Sequence, residues 1–138
     1  MKPIELTVPP SANHMDGPII QKGGKPGMKR MSKYRNWLKS AGWELNIARP
    51  TPLPPEATYA ILVLANVTRQ RDVDNIIKPT LDLLAAMQVT PDDRYCDAAM
   101  ALRTQDAPSG KIHIYLIEAP EGKVFEAALA LLTRCSGI

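Results

Sequence analysis

Ile4, Leu6 and Val8 alternate with Glu5 and Thr7, the period of a half-buried strand, and Pro9-Pro10 closes it because neither proline donates to a ladder. Residues 13–28 hold Gly17, Gly23, Gly24, Gly27 and two prolines, with Ile19 and Ile20 almost the only apolar side chains, and read as a flexible basic loop. Met31, Tyr34, Leu38 and Ala41 then recur at helical steps, predicting a helix from about Lys29 to Asn46 with Gly42 as its weak point. The proline-rich run from Arg49 to Pro55 is an extended connector. Thr58 to Val67 has the uninterrupted aliphatic character of a buried central strand. Ile76, Ile77, Leu81, Leu84, Ala85 and Gln88 return to helical spacing. Tyr95–Arg103 and Lys111–Glu118 read as strands around an Asp106–Gly110 turn, the second with Ile112, Ile114 and Leu116 on one face and His113, Tyr115 and Ile117 on the other. Residues 119–138 form a C-terminal helix whose clearest stretch is Val124–Leu132. The expected fold is α+β, a single domain over 1–138 with one mixed sheet packed against helices.

Composition agrees. A chain of 138 residues, 45% hydrophobic and 22% charged, suits one core and excludes wholesale disorder. Its longest uncharged apolar run, Tyr59–Asn66, falls far short of the roughly 20 residues that cross a bilayer. Met1-Lys2-Pro3-Ile4-Glu5 lacks the apolar core of a secretory signal, so a cytoplasmic location without membrane partners is expected. Cys96 and Cys135 have no pairing motif, and His14 and His113 have no partners at zinc spacing.

Charge adds a direction. The net +3 divides into ten basic against four acidic residues over 1–69 and seven against ten over 70–138. Between Gly17 and Trp43 stand seven basic residues and no acid, a block suited to a polyanion or, more simply, to a solvated face.

The chemistry lies in Arg71-Asp72-Val73-Asp74-Asn75-Ile76-Ile77-Lys78-Pro79 and in Pro91-Asp92-Asp93. Pro79 costs about 3 kcal/mol inside a helix but is tolerated in its first turn, so the regular helix begins near Asn75–Lys78 and leaves Asp72 and Asp74 in an extended or turning segment. In an extended chain, residues two apart face the same side and the two carboxylates converge. Their repulsion is relieved by a shared cation; Mg²⁺ takes such oxygen ligands and activates water against a phosphodiester, while Lys78 offsets developing negative charge. The plainer alternative makes Asp72 or Asp74 a helix cap and Asp92-Asp93 a turn.

Taken together these residues resemble the RusA family of Holliday-junction resolvases. The motif runs from Arg71 to Lys78, followed by an apolar helix and Asp92-Asp93; Val8-Pro9-Pro10-Ser11-Ala12-Asn13 resembles the family's P-P-S-x-N turn, and Ser32-Lys33-Tyr34-Arg35 the start of its first helix. The resemblance spans about Ile4 to Glu118. It implies a RusA-like fold and a Mg²⁺-dependent (or Mn²⁺-dependent) homodimer that cuts two opposed strands of a four-way DNA junction in recombination and repair. By motif position, Asp72, Asp74 and Asp93 would be the catalytic metal ligands and Lys78 the catalytic lysine, with Asp92 the less favoured member of its pair and Asn13, His14 and Asn75 further candidates.

With that implication, Lys29, Arg30, Lys33, Arg69 and Arg71 are expected to bind DNA on the side of the acidic pocket. The alternatives are a metal nuclease for other branched DNA and a non-catalytic branched-DNA-binding protein. Elsewhere, Trp37 and Trp43 are expected in the core, Cys96 as a small core residue, His113 as a satisfied strand histidine, Asp82 as a surface partner of Lys78, and Asp97 turned to solvent or the dimer rim, with an extra ligand as its alternative.

Overall fold

The computed structural model describes residues 2–11, 16–20, 26–30 and 32–136. Strands β1 (Ile4–Thr7), β4 (Tyr59–Ala65), β5 (Cys96–Arg103) and β6 (Lys111–Glu118) form one sheet in the order β1-β6-β4-β5. β4 and β5 are parallel, while β6 is antiparallel to both β1 and β4, so the sheet is mixed and the fold is α+β as expected. The helices are α1 (Ser32–Ala48), α2 (Ile77–Ala86) and α3 (Val124–Ser136). None of them is long and apolar enough to cross a membrane.

β4 explains the architecture. All seven of its residues are buried, because both faces of the strand are covered. Tyr59, Ile61, Val63 and Ala65 enter the larger core with Tyr34, Trp37 and Leu45 of α1 and Leu81, Leu83 and Leu84 of α2. Ala60, Leu62 and Leu64 enter the smaller core, which Ala127 and Leu131 of α3 close. β6 divides as its alternation predicts: Ile112 and Ile114 join the larger core and Tyr115 the smaller. Polar bonds stitch α1 to the sheet. Glu44 accepts from the Thr7 amide at 3.1 Å and from Lys111 Nζ at 3.2 Å, and Trp37 Nε1 donates to the Thr7 carbonyl at 2.9 Å.

Five expectations need correction. Residues 13–28 are not simply a loop: β2 (Asp16–Ile20) and β3 (Pro26–Arg30) pair antiparallel as a separate ribbon, Asp16 opposite Arg30 and Gly17 opposite Lys29. A two-stranded ribbon has two free edges, which is where prolines such as Pro18 and Pro26 are tolerated. Lys29 and Arg30 therefore belong to a strand rather than to α1. Gly42 does not interrupt α1, which runs on to Ala48 and ends with Arg49 at φ 47, its amide bonded to the Leu45 carbonyl. Trp37 is buried, but Trp43 is 69% exposed, lying off the stripe of Tyr34, Trp37, Ala41 and Leu45. Residues 119–123 precede α3, with Gly122 at φ 79 in the turn.

Candidate active site

The acidic motif leaves the end of β4 and returns through α2 to the start of β5. Asp72 is extended (φ −77°, ψ 123°), but Asp74 lies within a single 3₁₀ turn, Val73–Ile76, that leads into α2. The same-side argument for two carboxylates in an extended chain thus holds for Asp72 only, because the chain coils one residue later. Pro79 stands in the first turn of α2, where its missing N–H costs no helical bond.

Asp72 occupies the cap position of the 3₁₀ turn yet makes no capping bond, contrary to the plainer reading; its Oδ2 meets Asn75 Nδ2 at 3.5 Å. The carboxylates of both Asp72 and Asp74 are exposed. The two members of the second pair do different jobs. Asp92 Oδ1 accepts from the Arg94 amide at 3.0 Å and caps the 3₁₀ turn Asp93–Tyr95. Asp93 Oδ2 accepts from Lys78 Nζ at 2.8 Å, joining the two motif segments across 15 residues of chain.

Lys78 also reaches Asp82 at 3.0 Å, one helical turn along. Its pKa is raised, first by the bond to Asp93 and then by that to Asp82. The same bond holds the Asp93 carboxyl below its usual range. Lys78 remains 57% exposed and Asp93 35%, so water screens both charges.

The donors would suit a hard divalent cation, since Asp72, Asp74 and Asp93 offer only carboxylate oxygens. Among the described residues, however, no three acidic, histidine or cysteine side chains form a metal-holding group. The chemistry of the set fits Mg²⁺, while the side chains stand apart as three carboxylates, one of them bound to an ammonium.

The basic candidates separate. Lys33, in the first turn of α1, and Arg69 are exposed, and among the described residues no ion pair links either to the acidic motif. Arg71 is turned inward: its guanidinium donates to the Pro9 carbonyl at 2.5 Å, burial lowers its pKa, and Nε has no partner among the described residues. It ties the motif to the Pro9-Pro10 segment after β1. The side chains of Lys29 and Arg30, together with Asn13 and His14, lie outside the described residues.

Of the other residues, His113 pairs with Glu5 at 2.9 Å, Asp97 is exposed, and Cys96 is half-buried with its thiol pushed up to about 11 by burial. Sequence reasoning missed Arg103. Its Nη1 donates to the carbonyls of Val67 at 2.9 Å and Thr68 at 2.5 Å, and its Nη2 to that of Arg71 at 2.8 Å. One strand-end arginine therefore fixes the loop from which Asp72 emerges.

No family model matches the chain, and no curated protein matches it either.

Proposed function

We propose that the chain is a Mg²⁺-dependent, structure-specific endodeoxyribonuclease of the RusA type, resolving Holliday junctions as a homodimer. The observation that carries this reading is the 2.8 Å bond between Lys78 and Asp93. It unites two segments that the motif pairs and that spacing alone would leave as separate turns. In this reading Asp72, Asp74 and Asp93 hold the ion. When bound, Mg²⁺ activates water and offsets charge on the scissile phosphodiester. Lys78 contributes a positive charge beside Asp93 and stays protonated through the neutral range. Asp92 keeps the turn that presents Asp93. Two copies related by a two-fold axis would supply the two sites needed for opposed strands.

A second reading, a branched-DNA-binding protein without catalysis, draws on the separation of the three carboxylates among the described residues. Cleavage of synthetic four-way junctions, forks and linear duplex, with and without Mg²⁺, separates the readings. The nuclease binds junctions without metal, cuts four-way junctions preferentially once Mg²⁺ is supplied, and loses cutting in Asp72→Asn. Undiminished cutting by Asp72→Asn would refute the catalytic assignment, and binding without cutting in any metal would favour the second reading.

A further inference from the structure

The parallel strands β4 and β5 end in register, Ala65 opposite Arg103, and the Thr104 amide bonds to the Ala65 carbonyl at 3.0 Å. The segments that follow diverge around a cleft of about 390 Å³ lined by Asn66, Thr68, Arg69, Arg103, Thr104 and Gln105, with Val67 its one aliphatic member. The carboxyl ends of parallel strands are where open sheets place ligands.

Two guanidiniums line this cleft, and neither makes an ion pair with a described carboxylate. Arg103 gives three N–H bonds to carbonyls, which orient it without neutralising it, and two of a guanidinium's five N–H groups remain. Thr104 Oγ1 accepts from the Asp106 amide at 3.0 Å, leaving its hydroxyl proton to donate outward. Uncompensated positive charge among hydroxyl and amide donors is complementary to an oxyanion.

We propose that this cleft is a phosphate seat for a backbone phosphate of a nucleic-acid strand. The nucleic-acid source rests on the function proposed above. The same loop that borders the seat, Val67–Arg71, runs directly into Asp72, so a seated phosphate would lie on the approach to the acidic residues.

The full chain, ¹⁵N-labelled, is titrated with inorganic phosphate, and a labelled four-way junction is then bound without metal at several salt concentrations. Arg69→Gln and Gln105→Glu change exposed side chains. Phosphate should shift the Arg69, Thr104 and Gln105 amides in the wild type but not in Gln105→Glu. Gln105→Glu should weaken junction binding about tenfold, and Arg69→Gln should lower the salt slope by about one.

Phosphate shifts with unchanged junction affinity in both variants would overturn the nucleic-acid assignment. Absence of both effects would overturn the seat itself. Phosphate shifts in a wild type that binds no branched DNA would uphold the seat and refute the nuclease reading.

Discussion

In the first turn of α2, Lys78 bridges Asp82 and, just before β5, Asp93, in view of solvent. At the last residue of β5, Arg103 grips the carbonyls of Val67, Thr68 and Arg71. The first arrangement joins side chain to side chain, and the flexible lysine can redistribute between carboxylates at little cost to the fold. The second joins a planar guanidinium to backbone, so releasing it strands acceptors and frees a loop. The contrast assigns separate duties: Arg103 decides where the Asp72 segment begins, while Lys78 decides the charge that Asp93 meets.

Four experiments test this division of labour. The largest effect is expected on chemistry: Asp72→Asn should reduce Mg²⁺-supported junction cleavage about a hundredfold or more while metal-free junction binding persists, as read from single-turnover assays and mobility shifts. Next comes Arg103→Ala, which should cost about 1–3 kcal/mol in urea unfolding, with faster hydrogen exchange at the Arg71 and Asn75 amides. Unaltered exchange there would remove the clamp from the account. Lys78→Ala belongs to the other regime. Its stability loss should stay below about 1 kcal/mol, because exposed ion pairs contribute little, even as cleavage falls.

The smallest effect is a pH signature. Lys78 depresses the Asp93 pKa, so the stability this pair contributes is present above the ordinary carboxylate pKa of about 4 and is lost as pH falls through the lower folded value. The raised Lys78 pKa carries the contribution up through the alkaline range, and it is lost only as pH rises through the folded value. The Tm difference between wild type and Asp93→Asn should therefore shrink between about pH 6 and pH 3. A constant difference across that range would detach Asp93 from Lys78.

Much of the scaffold was legible because burial imposes local patterns. The continuous apolar run of β4 and the two apolar faces of β6 correspond to cores on both sides of the sheet. Pro79 marked the start of α2 through simple sterics. The β2–β3 ribbon was hidden because glycine and proline imply a loop unless the pairing of the two segments is known. Trp43 misled because hydrophobicity favours burial and only the phase of α1 shows otherwise.

At the site, residue types and spacing named the acidic segments, but the roles of Asp92 and Asp93 became distinct only through their bonds to the Arg94 amide and to Lys78. Arg71 resembled a free phosphate contact until its link to Pro9 was seen. Arg103 gave no signal at all, because its partners are carbonyls 32 to 36 residues earlier and every residue carries a carbonyl.

The order β1-β6-β4-β5 also bears on synthesis. Among the described residues β1 pairs with β6 alone, Ile4 lying opposite Ile114, and β6 separates β1 from β4. A nascent chain can assemble β4, α2 and β5 locally, bringing Lys78 and Asp93 together while its first strand still waits for a partner. Strand β6 must emerge from the ribosome before the amino-terminal strand can dock, so closure of the sheet comes late and over a long loop. A polypeptide arrested before Lys111 would thus carry the acidic motif on a sheet with β1 unpaired and β4 exposed along one edge, poised for aggregation.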